Sequence, residues 1–249
     1  MKDIYIRGGG KKNPAVTILV KHLEDFGHGV TRDFLEPHDV TICWGLSTDR
    51  RPALNDRVNR FNKYYALERI RTQGICCPVV YPTSEWHRAG VFPRLARKFT
   101  HKAGKDIVVC KTVAEAGRIF QRGTHDFFSE FIPTKTEYRV WVFREKVIAV
   151  YEKLFKGPGA FTGFARNHRF GFRFEKQDDL RAHPVLKGVA TGAVDALNMD
   201  FGAVDILLGQ DGLYYALEVN SMPAIDSSEK SNGLRLAKHF SLWAERQDE

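Results

Sequence analysis

The sequence predicts a mixed chain, α/β at its start and α+β beyond, with an open N-terminal α/β lobe, a small middle lobe and a C-terminal antiparallel-sheet lobe. Three observations carry that expectation. Strand and helix patterns alternate twice before Pro78, as in a small open α/β unit. Two apolar runs, Ala203–Leu208 and Leu213–Val219, meet at Asp211-Gly212, a strong two-residue hairpin signal. A second hairpin pattern joins Glu137–Phe143 to Lys146–Glu152 through Arg144-Glu145.

Taken in order, Ile4–Ile6 opens as a strand and runs into Gly8-Gly9-Gly10. A helix follows from about Pro14 to Asp25, with Val16, Leu19, Val20 and Leu23 at helical spacing and Gly27 and Gly29 ending it. The triple glycine lacks the Gly-x-Gly-x-x-Gly order of a phosphate loop and precedes Lys11-Lys12, so it reads as a plain loop. Val40–Trp44 is a second strand. A helix from about Asp56 to Gln73 carries Val58, Phe61, Tyr65 and Leu67–Ile70 before Gly74 and Pro78 stop it. Pro93–Phe99 and Ile107–Cys110 read as strands around a basic loop, Thr100–Asp106. Val113–Arg122 is helical, Phe127–Phe131 a strand and Ile132–Thr136 a connector. Gln177–Asn198 is a helix kinked or begun afresh near Pro184, and Glu229–Arg246 is a last helix with Leu234, Leu236, Phe240 and Trp243 apolar.

Composition narrows the function classes only slightly. At 249 residues with 43% hydrophobic and 27% charged content, the chain can bury a substantial core in one large domain or in two to three lobes. A formal charge of +8 suits an anionic ligand or an acidic polymer, yet no basic run is long enough for a nucleic-acid arm. No signal peptide is visible, and no apolar run approaches the ~20 residues of a membrane helix. The expectation is a cytoplasmic protein with no membrane partner. Cys43, Cys76, Cys77 and Cys110 show neither disulfide nor metal spacing and read as reduced, mostly buried small hydrophobes.

The hairpin at Asp211-Gly212 carries the chemistry. With those two as loop residues, pairing runs outward from Gln210–Leu213, Asp205 falls opposite Glu218, and Asn220 shares their face. Facing carboxylates repel across a ladder, and a divalent cation between them would reverse the sign. Two carboxylates and an amide oxygen suit Mg2+ (or Mn2+) shared with phosphate oxygens. The competing reading is a solvated polar hairpin face, against which the third in-register oxygen argues.

An Asp on one strand, a hairpin, then Leu-Glu-Val-Asn ahead of Pro223 resembles the metal-binding end of the ATP-grasp superfamily, in particular the RimK-like carboxylate–amine ligases of short phage and prokaryotic type. From about Val91 onward the family's elements follow in the family's order. The resemblance implies an ATP-grasp fold in which residues 1–85 form the preceding α/β lobe, 86–131 a small lobe with a phosphate loop, and 132–249 the lobe with the metal site. The last helix is expected to pack across the ATP lobe. Asn62-Lys63 resembles the family's Asp/Asn-Lys helix start.

The resemblance also implies roles, residue by residue. Arg97 or its neighbour Lys98 reaches the ATP phosphates, strand alternation allowing only one to do so, and Lys102, Gly104 and Lys105 supply the loop that closes over them. Here an Arg stands where the family has Lys, and one glycine where it has several. Glu130, Phe131 and Ile132 match the hinge that meets adenine. Glu137-Tyr138-Arg139 matches a Glu/Asp-x-Arg strand whose Arg contacts the transferring phosphate, although Glu137 and Arg139 could also form a simple ion pair on one face. Lys153 fits the basic residue ending the next strand, and Arg166-Asn167-His168 resembles the Arg-x-Asn element that binds the terminal phosphate. His168 is either a base or a hydrogen-bonding neighbour of that phosphate. Ala224 stands where the family often has Gly. The basic, aromatic segment Lys153–Phe174 has a competing reading as a single-stranded nucleic-acid surface, possible but not favoured.

The activity so implied is an ATP- and Mg2+-dependent ligase that joins a small-molecule or peptide carboxylate to an amine acceptor. It passes through an acylphosphate and releases ADP and phosphate. Arg139, Lys153, Arg166 and Asn167 would be catalytic, with Asp205, Glu218 and Asn220 as metal ligands. The alternatives on the same scaffold are a phosphotransferase and a nucleotide- or nucleic-acid-binding protein without ligase activity.

Overall fold

The structure is a computed structural model that describes residues 1–10, 12–49, 52–57, 62–87, 92–99, 106–158, 170–225 and 230–248. Its first sheet is wholly parallel, in the order β2-β1-β3-β4, from β1 (Asp3–Gly8), β2 (Gly29–Thr31), β3 (Val40–Trp44) and β4 (Ala53–Leu54). Between β1 and β2 runs α1 (Pro14–Asp25), whose N-cap Asn13 accepts from the Ala15 and Val16 amides at 3.0 and 3.2 Å. The buried side of α1 (Ala15, Val16, Leu19, Leu23) meets Ile4, Ile6, Val40, Ile42 and Trp44. β2 and β4, three and two residues long, are too short to leave a periodic signal. Gly8 is obligatory: its φ is +110°, and a Cβ there would lie 2.1 Å from the Trp44 carbonyl oxygen.

α2 spans Lys63–Thr72, so it starts later than the apolar pattern suggests. Asn62 defines the start by accepting from the Tyr65 amide at 3.0 Å, while Val58 and Phe61 lie outside the described residues. The buried side chains of α2, Leu67 and Ile70, join the core beneath the C-terminal sheet rather than that of the first sheet. The middle sheet is antiparallel in the order β5-β8-β6-β7, from β5 (Val80–Pro82), β6 (Arg94–Arg97), β7 (Val108–Cys110) and β8 (Phe127–Glu130). α3 (Val113–Arg122) covers it, with Ala116 packed among Ala96, Cys110 and Phe128.

The third sheet holds five antiparallel strands in the order β11-β10-β9-β12-β13. They are β9 (Thr134–Phe143), β10 (Lys146–Phe155), β11 (Phe172–Lys176), β12 (Phe201–Gly209) and β13 (Tyr214–Asn220). The hairpin at Arg144-Glu145 forms as expected; β11 was not anticipated. α4 (Pro184–Ala196) begins afresh at its proline after a short turn at Asp179–Ala182. Tyr138, Val140, Val150, Val204 and Ile206 on one sheet face pack against Leu186, Val189, Ala190 and Ala193 of α4.

The opposite face is split. Half of it (Trp141, Phe143, Ala149, Phe201, Ala203) joins the core of the first sheet, and the rest is charged. The last helix, α5 (Lys230–Glu245), packs across the C-terminal sheet as expected, with Phe240 against Phe143 and Phe201 and Arg235 donating to the Ile148 carbonyl. It contributes Leu236, Phe240 and Trp243 to that first core and lies tightly on α1, where a Cβ on Gly233 would come within 2.5 Å of Ile18. Asn55, fully buried with φ +53°, ties the two sheets together: its Nδ2 donates to the Phe201 carbonyl at 3.0 Å and its Oδ1 accepts from the Asp200 amide at 2.6 Å.

Candidate active site

The hairpin β12–β13 brings Asp205 opposite Glu218, but by another route than a two-residue turn. Pairing closes at Leu208–Tyr214, one residue off the predicted register. Asp211 widens the turn, accepting from the Leu213 amide at 3.0 Å and from the Tyr215 hydroxyl at 2.6 Å. A bulge at Leu217 then restores the offset, so that Asp205 meets Glu218, Val204 meets Val219 and Ala203 meets Asn220. Asn220, two residues beyond Glu218, points to the same side.

Cross-strand register extends this pair into a row. Asp205 is also the partner of Arg139, and Arg139 of Tyr151, so side chains from β13, β12, β9 and β10 stand abreast on one face. Arg139 grips Asp205 with two bonds, Nε to Oδ1 at 3.0 Å and Nη2 to Oδ2 at 3.3 Å, and its guanidinium lies 4.7 Å over the Phe174 ring. Lys153 donates to Glu137 and sits 3.2 Å from Asp205 Oδ2. Burial would raise the Asp205 pKa, but the Arg139 and Lys153 charges overcome it and hold the carboxyl well below its usual range. Burial would likewise lower the Lys153 pKa, and Asp205 and Glu137 more than offset it.

The other predicted residues are placed as follows. Arg97, the last residue of β6, is buried with its guanidinium 5.4 Å over the Phe127 ring. Burial lowers its pKa against the opposing charge of Glu218. Lys98 stands just beyond the strand and is half-buried. Glu130 ends β8, its carboxylate accepting from the Val79 amide at 3.3 Å; Phe131 is half-buried and Ile132 buried in the connector to β9. Lys102, Gly104, Lys105, Arg166, Asn167 and His168 lie outside the described residues.

One residue was undervalued in the sequence. Lys63, on the first turn of α2, pairs with Glu218, Nζ to Oε2 at 2.5 Å. The Asn62-Lys63 pattern was the available signal, but no local feature told which strand it would face. With Lys63 and Arg97 included, four cations (Lys63, Arg97, Arg139, Lys153) surround three carboxylates (Glu137, Asp205, Glu218).

This donor set fits Mg2+ or Mn2+ in one particular way. Among the described residues no three His, Cys, Asp or Glu side chains gather as a metal site. The protein therefore offers two carboxylates and the Asn220 amide oxygen, and the remaining ligands would be phosphate oxygens and water. The surplus of positive charge likewise favours a cation that arrives with a polyphosphate over a bare one.

Comparison with known proteins identifies the fold and the family. Residues 87–243 match the RimK-like ATP-grasp domain. A probable alpha-L-glutamate ligase of Picosynechococcus sp. is 30% identical over 148 residues, which is 59% of this chain and 44% of that protein. Another, from Mannheimia succiniciproducens, is 23% identical over 226 residues, covering 83% of this chain and 71% of its own length. The chain thus spans less than half the length of the first of these relatives. Among solved structures, the ATP-grasp ligase PsnB complexed with its minimal precursor superposes with a TM-score of 0.71 at 16% identity, covering 95% of this chain and 97% of PsnB. D-alanine–D-alanine ligase from Bacillus anthracis gives 0.64 at 13% identity with 100% of both chains covered. The fold is ATP-grasp, no helix among the described residues is long and apolar enough to cross a membrane, and the chain belongs to the RimK-like ATP-grasp family.

Proposed function

We propose that the protein is an ATP- and Mg2+-dependent carboxylate–amine ligase. The observation that carries this reading is the row Arg139–Asp205–Glu218 with Lys153, Lys63 and Arg97 around it: cations in excess, beside an all-oxygen ligand set. In the reaction, a substrate carboxylate takes the terminal phosphoryl group of ATP, and an amine displaces phosphate from the resulting acylphosphate. Mg2+ or Mn2+, when bound by Asp205, Glu218 and Asn220, supplies neutralising charge at the phosphates.

The remaining work falls to side chains of this chain. Arg139 is a permanently charged planar fork, held in place by Asp205 beneath it and by Phe174 at its face, and suited to oxygens on which charge develops. Lys153 stays protonated because Asp205 and Glu137 flank it, so it acts as a fixed positive charge and not as a base. Arg166 and Asn167 complete the terminal-phosphate contacts. Arg97, Lys98, Lys102, Gly104 and Lys105 hold the rest of the polyphosphate, and Glu130 to Ile132 meet adenine. The relatives' names as glutamate ligases and the ligase structures of the same fold, one solved with Mg and ADP, support the reading. A small-molecule or peptide carboxylate and an amine acceptor are the substrates.

Product analysis tests it. Incubation with ATP, Mg2+ and a panel of amino acids and peptides should release ADP and phosphate together, and hydroxylamine should trap the acylphosphate as a hydroxamate. AMP and pyrophosphate would mean adenylation instead, and ADP without phosphate a hydroxyl kinase. No hydroxamate from any carboxylate, with salt-sensitive binding of single-stranded nucleic acid, would overturn the ligase reading.

A further inference from the structure

Strand β10 carries a one-residue irregularity that decides which of its side chains reach the candidate active site. Against β9, Lys146 pairs with Phe143 and Val147 with Val142. The pairing then skips Ile148 and resumes with Ala149 opposite Trp141, Val150 opposite Val140 and Tyr151 opposite Arg139. Ile148 is thus a β-bulge, a residue with no partner across the ladder. Burial records the change of face: Val147 and Val150 lie in the core under α4, whereas Ile148, Ala149 and Tyr151 all lie in the core on the other side. Had the ladder run on without the bulge, Val150 would stand opposite Arg139, and Tyr151 and Lys153 would point at α4. The bulge is what sets Tyr151 beside Arg139, and Lys153 beside Glu137 and Asp205.

Two residues of α5, three apart and so on one face of that helix, hold β10 at this place. Arg235 Nη1 donates at 2.7 Å to the carbonyl of Ile148, the bulged residue itself. Asn232 Oδ1 accepts from the Tyr151 hydroxyl at 3.1 Å, with both side chains completely buried. The Nδ2 of Asn232 is also buried and has no hydrogen-bond partner among the described residues. Fold stability alone favours an apolar side chain there over a half-satisfied amide. Tyr151 in turn meets the Phe174 ring edge to face, centroids 6.3 Å apart, and Phe174 carries the Arg139 guanidinium.

We infer that Arg235 and Asn232 are positioning residues of the active site: they clamp the β10 bulge and so keep Lys153 and Arg139 in place. This rests on the ligase reading for what Lys153 and Arg139 do, and adds how α5 maintains them. A bulged residue is out of the ladder, so its backbone needs a partner elsewhere, and the Arg235 guanidinium is that partner for Ile148. Arg235 has its own carboxylate neighbour in Asp178, at 4.0 Å, away from the charged row. Both residues therefore act through β10 and not as further phosphate cations.

Two measurements test the clamp, on Arg235→Leu and on the paired variant Asn232→Leu/Tyr151→Phe. The paired variant replaces both partners of one bond by apolar groups of similar shape, so it should melt close to wild type. Acetic anhydride labelling with mass mapping reads where Lys153 lies. Buried at 6% exposure, Lys153 should resist acetylation in wild type and label about fivefold faster or more in both variants. Calorimetry in Mg2+ then compares ADP with β,γ-imido-ATP. Since Lys153 and Arg139 serve the terminal phosphate, both variants should bind the analogue about fivefold more weakly or worse, and ADP within about twofold of wild type. A purely structural role for these α5 residues would lower the melting temperature and leave that selectivity untouched. The clamp is overturned if Lys153 stays protected in both variants, or if both keep the wild-type preference between the two nucleotides. Failure of the ligase reading looks different: wild type would bind neither nucleotide or form no hydroxamate, while Lys153 labelling still judges the clamp.

Discussion

Lys63 on α2 and Glu218 on β13 form an ion pair, Nζ to Oε2 at 2.5 Å, that places a cation against a carboxylate of the candidate metal site. The pair is exposed enough, at 19% and 39% of its side-chain surfaces, to be worth only about 0–1 kcal/mol to the fold. Its consequence is for ion binding. With Lys63 on Glu218 and with Arg139 and Lys153 on Asp205, bare Mn2+ must compete with three cations.

Lys63→Met should therefore tighten the binding of Mn2+ in the absence of nucleotide, by about tenfold or more, since like charges a few ångströms apart interact by more than ~1.4 kcal/mol at protein-surface dielectric. Stability should change by no more than about 1 kcal/mol. Electron paramagnetic resonance titration of free Mn2+ reads the effect. Equal affinity in both proteins would show that Lys63 does not stand in the metal's way.

The two carboxylates, equivalent on paper, are not equivalent in the fold. Asp205 is 14% exposed at its side chain and satisfies both Arg139 and Lys153, whereas Glu218 is 39% exposed and meets Lys63. Asp205→Asn removes a buried carboxylate that Arg139 and Lys153 share, Lys153 keeping Glu137, and should destabilise by about 3 kcal/mol. Glu218→Gln should stay within about 1 kcal/mol. At about 2–4 °C per kcal/mol the difference is plain in a melting curve. Both changes should abolish the additional stabilisation that Mg2+ gives with ATP. Equal melting temperatures for the two variants would mean that Asp205 is not held as described.

How far the sequence alone reaches is visible in this same hairpin. The residue types at Asp205, Glu218 and Asn220 and the strand signal around them are local, and local signals were legible. The bulge at Leu217 was not, because it compensates a turn that Asp211 widens through side-chain bonds, and nothing in periodicity records that. Lys63 reaches Glu218 across 155 residues of chain, a relation set by where α2 packs. β11 carries an alternation, Phe172 and Phe174 against Arg173 and Glu175, but at five residues it is too short to stand out at the end of the basic, aromatic segment Lys153–Phe174. For α5, the apolar positions and the C-terminal sheet they cover were legible, but not the second contact on α1, which depends on how the first lobe folds back.

Acid should dissolve the charged row, with a definite sign. The folded pKa of Asp205 lies well below its unfolded value, because Arg139 and Lys153 outweigh burial. A depressed carboxyl stabilises the fold above its unfolded pKa of about 3.9, and the contribution is lost as pH falls below that value. Urea unfolding followed from pH 6 downward should show stability declining below about pH 4. Asp205→Asn should flatten that decline, and an identical slope in the variant would assign the acid sensitivity to other groups.

Alkali should act through the thiols, in the opposite sense. Burial pushes Cys43 up to about 12, with Arg7 opposing and Asp56 and Asp200 adding to the shift, and it pushes Cys77 to about 12 as well. Both remain neutral thiols in the fold at a pH where the unfolded chain ionises them. A raised folded pKa contributes stability that is present below the unfolded value of about 8.5 and is lost as pH rises toward 12. The thiolate is also the reactive species, so Cys43 and Cys77 should resist alkylation in the native protein. Half-buried Cys76, raised by burial to a lesser extent, should react first. Iodoacetamide at pH 8.5 with peptide mass mapping would show label on Cys76 before Cys43 or Cys77, and on all of them after unfolding in urea. Early labelling of Cys43 would show that the carboxyl end of β3 opens to solvent, against the complete burial of Cys43 and Trp44 in the first sheet.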